Sequence, residues 1–475
     1  MKLFQIVFVV CSIACNLWAQ KYNDSNPIVA EFGNNEITLQ EFRIAYLEVI
    51  KKPNTFDSKN NREEFLDELI HRTVLAHEAQ RQDFSKDEIF QIKVEAFYNK
   101  ALRSEHFETV IRPQLSISES DIEEVYQFTQ EQRRIRHLFY KDKPAADSAY
   151  NVLKRGGLFD CLARECFNDS LLARNGGELG WVQWDQLDYD IAMNAFRQPI
   201  GKYSMPVRSP YGYHIIEVMD YKKNPLITRQ QYITYRRKAK ALVESKLGDK
   251  YALEFVRSLI SRAQIEYNQE VMAFVEKKFQ DMFTRQPQKT DQMQEIQLFD
   301  EEFQKAEISF WDARNEIMAT INGHKFTVKD FLGHLLYIPY EATYRGFLDA
   351  FKLCLRDFLL SVDARERNLD KSLIVRLKTK IYQNYLLQLA YRIQKVKSVE
   401  VTEQDILLYY QKYKRKNKEI TLEQIRPIAQ KLLLNDKKQK VIPDLLKKLM
   451  KNMIVKKNIK IIHDYYDGVK KGSIR

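Results

Sequence analysis

Cysteine is scarce in this chain of 475 residues: there are five, and Cys11 and Cys15 lie within the first fifteen positions. The other three, Cys161, Cys166 and Cys354, are odd in number and form no CxxC pair. That argues against a disulfide framework and against a zinc site, and they read as small buried hydrophobes. Glycine is also sparse, 14 in all, yet three fall together at Gly176, Gly177 and Gly180. A phosphate-cradling loop is excluded there. The spacing is GGxxG rather than GxGxxG, no Lys-Ser/Thr follows, and Leu179-Gly180-Trp181-Val182 reads as a strand where a nucleotide site needs a helix N-terminus. Beyond the N-terminus no apolar run reaches 18 residues, so no membrane-spanning helix is expected.

What is present begins with a leader. Lys2 precedes the apolar run Leu3–Ala14, and Leu17-Trp18-Ala19 places a small residue before Gln20, the pattern of a secretory signal peptide over residues 1–19. Cleavage after Ala19 fits best. A lipoprotein at Cys15 is the alternative, weakened by Ser12 where an aliphatic residue is wanted. A periplasmic protein is therefore expected. Hydrophobic content of 44% with 29% charged residues describes a folded chain. The net charge of +12 is unevenly placed: from Lys414 to Arg475 there are 18 Lys/Arg against 6 Asp/Glu, and the preceding 413 residues balance at 58 against 58. The basic end is either a solvated face or a surface for acidic clients or anionic membrane. Nucleic acid is not expected as a partner of an exported chain.

The length predicts two to four domains. Ile28–Phe32 and Glu36–Thr38 flank Gly33-Asn34-Asn35 as a hairpin, and Thr38-Leu39-Gln40-Glu41 opens a helix. Helices follow over about Arg62–Gln82, Lys86–Val110 (stopped by Arg112-Pro113) and Ser118–Thr129. The pattern returns at Ala319–Thr327, with Asn322-Gly323 at the turn. Val401-Thr402-Glu403-Gln404-Asp405 echoes Ile117-Ser118-Glu119-Ser120-Asp121, and Ile420-Thr421 echoes Ile227-Thr228. These matches predict an internal duplication. Tyr126 to Ile227 spans 101 positions where the matching Tyr410 to Ile420 spans 10. The first copy thus carries an insert of about ninety residues, as inserted domains are tolerated where chain ends lie close together. Residues 286–310 are expected to bridge the copies.

Inside the insert the motifs come in a fixed order. Arg136-His137-Leu138-Phe139 is followed by Lys154-Arg155-Gly156-Gly157-Leu158-Phe159, Leu162-Ala163 and Asn168-Asp169-Ser170. Beyond the glycine cluster come Phe196, Gly201-Lys202-Tyr203-Ser204-Met205-Pro206-Val207 and Ser209-Pro210-Tyr211-Gly212-Tyr213-His214-Ile215-Ile216. In order and spacing, about Arg133 to Tyr221 resembles the parvulin family of peptidyl-prolyl cis/trans isomerases. The flanking helical parts resemble, more loosely, the peptide-binding bodies of periplasmic SurA-like foldases and chaperones. The fold expected is multidomain and mainly α, with an inserted α+β parvulin-like domain: a four-stranded antiparallel sheet with surrounding helices. Its boundaries are 20–132 for the N-terminal helical part, 133–222 for the insert, 223–285 for a helical return completing the first body, and 286–475 for the second copy. Within the insert, strands are expected at Arg134–Tyr140, Leu179–Val182, Ser204–Arg208 and Tyr213–Asp220, with helices at Ala145–Lys154, Phe159–Phe167 and Asp188–Phe196.

The resemblance also implies site residues. His137 and His214 become a central imidazole pair, Asp169 takes the place of a Cys or Asp, and Ser209 supplies a hydroxyl to the histidines. Leu179, Leu187 and Phe196 would line an apolar pocket for the proline ring. Ile191 falls where an aromatic is common, and Tyr211, also a substrate-binding position by the resemblance, stands where some members have a small residue and bacterial ones frequently an aromatic. Lys141-Asp142-Lys143-Pro144 lacks an arginine cluster, so phosphoserine-proline selectivity is not implied. No metal and no cofactor are expected. The function implied is isomerisation and chaperoning of unfolded or partly folded exported polypeptides, outer-membrane proteins among them. The alternative is a non-catalytic holdase whose parvulin domain only binds peptide.

Overall fold

In the computed structural model the described residues are 26–51, 55–167, 170–209, 211–223, 229–283, 305–306, 308–414 and 421–470. Asp169, the signal segment and most of the expected bridge 286–310 lie outside them. The chain divides into two compact units. One is built on Arg103–Phe331 with Ile338–Asp363, the other on Leu17–Leu102 with Leu332–Tyr337 and Ala364–Arg475.

The hairpin β1 (Ile28–Phe32) and β2 (Asn35–Thr38) leads into α1 (Leu39–Ile50), α2 (Lys59–Arg81) and α3 (Glu88–His106). Thr38 caps α1, its hydroxyl accepting from the Glu41 N–H at 3.3 Å. A π turn at Phe107–Ile111 and a 3-10 turn around Pro113 end this run. Helix α4 (Glu119–Phe128) opens with a reciprocal capping box between Ser118 and Asp121.

The segment between α4 and the next long helix contains β3 (Glu131–Tyr140), α5 (Lys143–Lys154), α6 (Phe159–Cys166), α7 (Ser170–Arg174), β4 (Glu178–Val182), α8 (Tyr189–Arg197), β5 (Val207–Ser209) and β6 (Gly212–Lys223). The strands form a four-stranded antiparallel sheet in the order β4-β3-β6-β5. Alternation decides its two faces. Leu138 and Ile215 point to one side and pack with Leu153, Phe159 and Leu162 of α5 and α6. Ile135, Ile216 and Val218 share a second cluster with Leu187, Ile191 and Phe196 at α8. Pairing runs to the last residues of the long strands, Glu131 opposite Lys223, so this segment enters and leaves on neighbouring strands. The Lys223 ammonium sits 3.0 Å from the Glu131 carboxylate there. Of the cysteines expected to be buried, Cys354 is; Cys161 is exposed and Cys166 half-buried, because Cys161 lies on the outer face of α6.

Helix α9 (Arg229–Arg262) follows, then β7 (Ile265–Tyr267), α10 (Gln269–Met282), the hairpin β8 (Ile317–Ile321) and β9 (His324–Thr327), and α11 (Val328–Leu335). Asn322 and Gly323 both adopt positive φ at the tip, 49° and 82°, as the expected two-residue turn requires. The remaining helices are α12 (Tyr340–Tyr344), α13 (Phe347–Glu366), α14 (Leu373–Lys397), α15 (Glu403–Lys414) and α16 (Leu422–Met450), followed by β10 (Val455–Lys457) and α17 (Ile459–Lys470).

Each hairpin acquires a third strand from far away in the sequence. β7 pairs with β8, Ile265 opposite Ile321, while β10 pairs with β1, Ala30 opposite Lys457. The return segment expected to complete the first body therefore adds its strand to the second hairpin. A two-stranded hairpin is marginal alone, and the added strand covers an open edge. In the unit holding β1, the sheet packs on Phe42, Tyr46, Phe65 and Ile462. Arg62 is fully buried there. It is paired with Asp57 at 2.6 Å and Asp467 at 3.1 Å and lies over the Tyr466 ring, which fastens α17 to α2.

Candidate functional site

The β3–β6 register sets the site. His137 stands opposite Ile216, and His214 opposite Phe139 two residues along, so the two imidazoles are diagonal neighbours on one face. On the next strand Val207 faces His214, and period-two alternation puts Ser209 on that same face. The result is a connected polar chain. His137 Nδ1 lies 3.2 Å from His214 Nδ1, and His214 Nε2 lies 2.9 Å from Ser209 Oγ. The backbone N–H of Tyr211 donates to Ser209 Oγ at 3.1 Å. All three side chains are buried, at 5%, 6% and 3% exposure.

Ser209 Oγ accepts from Tyr211 and keeps both its hydrogen and a second lone pair, so it can donate to or accept from His214 Nε2. The chain ends at His137 Nε2. Among the described residues that buried Nε2 has no partner. Burial pushes both histidines well below the usual imidazole range, and His137 further disfavours charge on His214, so both are neutral at pH 7. Phe167 and Phe139 pack their rings 5.2 Å from His137 and 5.1 Å from His214, sealing the pair from water.

The glycine cluster holds β3 in place. Gly177 adopts φ +78°, and its carbonyl accepts from the His137 N–H at 3.0 Å. A side chain there would run into the His137 carbonyl and would lie 3.2 Å from the Phe167 ring. Only glycine permits both the left-handed backbone and this approach.

Of the expected site residues, His137, Ser209 and His214 are brought together, and Asp169 lies outside the described residues. Leu187, Ile191 and Phe196 are buried in one apolar cluster under the same face, with Leu179 half-buried against it. Tyr211 is 40% exposed at the rim. Among the described residues no three His, Cys, Asp or Glu side chains gather as a metal site would.

Sequence reasoning missed the contribution of α9. Lys246 Nζ donates to the Leu187 carbonyl at 2.9 Å, and Lys250 pairs with Asp190 at 2.8 Å. Burial raises the Asp249 carboxyl to about 7, offset in part by Lys246. Val243 of the same helix is fully buried in the cluster containing Ile191. Spaced four apart on a long helix, Lys246 and Lys250 look like an ordinary solvated face; nothing local marks them as contacts.

Comparison with known proteins follows the same outline. The PPIC-type PPIase domain family matches residues 129–222. A parvulin-like PPIase of Rickettsia prowazekii is 23% identical over 282 residues, covering 56% of this chain and 96% of that protein. The foldase protein PrsA of Geobacillus kaustophilus is 30% identical over 219 residues, 42% of this chain and 73% of its own length. Among solved structures, SurA-like chaperones of Campylobacter jejuni align at 18% identity with a TM-score of 0.23, over 50% of this chain and 98% of theirs.

Proposed function

The chain belongs to the parvulin family of peptidyl-prolyl cis/trans isomerases, and from that premise we propose that His137, Ser209 and His214 form its catalytic centre, acting on unfolded exported polypeptides. The carrying observation is the buried hydrogen-bonded chain that links the Tyr211 N–H, Ser209, His214 and His137. Rotation about an X-Pro amide faces a resonance barrier of about 18–20 kcal/mol. No covalent step is needed to lower it. An apolar surface from Leu179, Leu187, Ile191 and Phe196 disfavours the charge-separated planar amide, while the neutral imidazoles hold polar groups without adding a competing charge. Asp169 is assigned the remaining polar position of the network on the family resemblance.

The helical parts are read as client-holding bodies of a foldase, working in the periplasm after cleavage at Ala19, with outer-membrane proteins as clients. The basic region after Lys414 would draw acidic clients or anionic membrane surface by long-range attraction that salt screens.

A protease-coupled isomerase assay on the full chain tests the catalytic reading. Wild type is expected to accelerate X-Pro isomerisation. Ser209→Ala and His214→Ala should each lose roughly ten- to a hundredfold, about 1.4–2.8 kcal/mol of barrier. Suppression of client aggregation without any acceleration over background would assign the chain to the alternative, a holdase that uses this domain only for binding.

A further inference from the structure

Beside Ser209 lies a hollow of about 190 Å³ whose charged lining is entirely cationic: Lys141 from the end of β3, Arg208 from β5 and Arg257 from α9, with Tyr211 on its wall. The arginines of β3 and α8 are paired. Arg133 meets Glu131, Arg134 meets Glu178, Arg136 meets Glu217 and Asp160, and Arg197 meets Glu124. Lys141, Arg208 and Arg257, by contrast, have no ion-pair partner within 4 Å among the described residues. The contrast is not a by-product of net charge, because Lys/Arg and Asp/Glu balance over the first 413 residues.

We propose that Lys141, Arg208 and Arg257 form an anion-accepting subsite that selects clients with Asp or Glu flanking the isomerised proline. The proposal rests on the reading of His137, Ser209 and His214 as the catalytic centre, since the hollow shares Ser209 with it. Three unpaired cations around a concave surface raise the local concentration of a negative side chain and leave a positive one without a counter-charge. The neighbouring hollow does not cancel this. Its acids are Asp190, already paired with Lys250, and Glu254, and it again contains Arg208 and Arg257. Asp188 and Asp249 also act on Tyr211 electrostatically, opposed by Arg257 and Arg345. Arg257 gives the subsite its second origin, because it comes from a helix outside the matched isomerase segment. Selectivity is thus a property of the whole chain rather than of that segment alone.

The test uses the full chain and peptides carrying Glu, Ala or Lys on either side of a single proline, with exchange rates read by NMR, which places no constraint on flanking sequence. One partly exposed ion pair changes binding by a factor of about 1.4 to 5, so three together predict roughly a tenfold preference for Glu over Lys at low salt. The ratio should shrink toward one at 0.5 M salt. In Arg208→Glu/Arg257→Glu the ratio should invert, and in Arg257→Ala alone it should fall by about threefold. Both arginines are exposed, and the salt arm on wild type reads the same interaction without substitution. Equal rates for Glu and Lys peptides in wild type, or a preference that survives the charge reversal, would overturn the subsite while leaving the isomerase intact. Failure to accelerate any peptide would overturn the catalytic reading and the subsite with it.

Discussion

Gly176 and Gly177 are adjacent, have almost the same φ (+71° and +78°), and differ in what a side chain would meet. That makes them a controlled pair. An alanine at either position pays about 1–2 kcal/mol for the left-handed region. At Gly176 the new methyl meets the Asp160 carboxylate, the far end of a side chain that is 61% exposed and can swing aside. At Gly177 it meets the His137 carbonyl, main chain held in place by the β3–β6 ladder, and the Phe167 ring behind it. That obstruction adds an overpacking cost of about 1–3 kcal/mol and displaces the strand carrying His137. Gly176→Ala should therefore lose about 1–2 kcal/mol of stability and keep its isomerase rate within a few-fold. Gly177→Ala should lose about 2–5 kcal/mol and at least tenfold in rate under conditions where it remains folded. Urea unfolding followed by tryptophan fluorescence reports the first quantity, since Trp184 is fully buried in this domain, and the coupled assay reports the second. If the two variants prove equal in both, the role given to the Gly177 approach is wrong.

Two further outcomes follow from the same geometry. Because burial lowers the imidazole pKa of His137 and His214, their contribution to stability is fully present above the unfolded value near 6.5 and is lost as pH falls toward the lowered folded values. The isomerase rate should accordingly stay flat from pH 8 to about 5.5, where an ordinary histidine would already have titrated; an inflection near 6.5 in kcat/KM would contradict it. Excision of residues 133–222, with a short Gly/Ser bridge from Gln132 to Lys223, should leave a soluble helical protein that still suppresses client aggregation but no longer isomerises. The two ends lie on paired strands, so the bridge has only an inter-strand gap to cross. Aggregation suppression measured on both forms decides whether holding belongs to the helical parts.

The local order of the isomerase segment was legible because its signals are local. His137 and His214 sit on strands whose alternation is plain, and the structure lengthens these two by only a few residues: Arg134–Tyr140 becomes Glu131–Tyr140, and Tyr213–Asp220 becomes Gly212–Lys223, whereas the strand expected at Ser204–Arg208 shortens and shifts to Val207–Ser209. The turn signals at Ser118-Asp121 and Asn322-Gly323 were equally direct. What could not be read was the choice of partner. Ile265–Tyr267 and Val455–Lys457 are three-residue strands, too short to show a period, and their partners lie far off in sequence, Ile265 opposite Ile321 and Lys457 opposite Ala30. Helix α9 failed for a related reason: Lys246, Lys250 and Arg257 are ordinary exposed-face residues until α8 and Ser209 are placed against them.

The pairing of Ala30 with Lys457 also dictates when the protein can finish folding. The ribosome releases β1 and β2 early, yet the strand that covers the outer side of β1 is made almost last. Throughout synthesis the N-terminal hairpin carries a bare row of backbone donors and acceptors, the kind of edge on which unrelated chains can add strands. Local helices can form as they emerge, but this sheet closes only after the full chain is available, and such non-local closure is slow. Loss of a short C-terminal piece that includes Val455–Lys457 would leave that edge open permanently, so damage at one end of the molecule would surface as stickiness at the other.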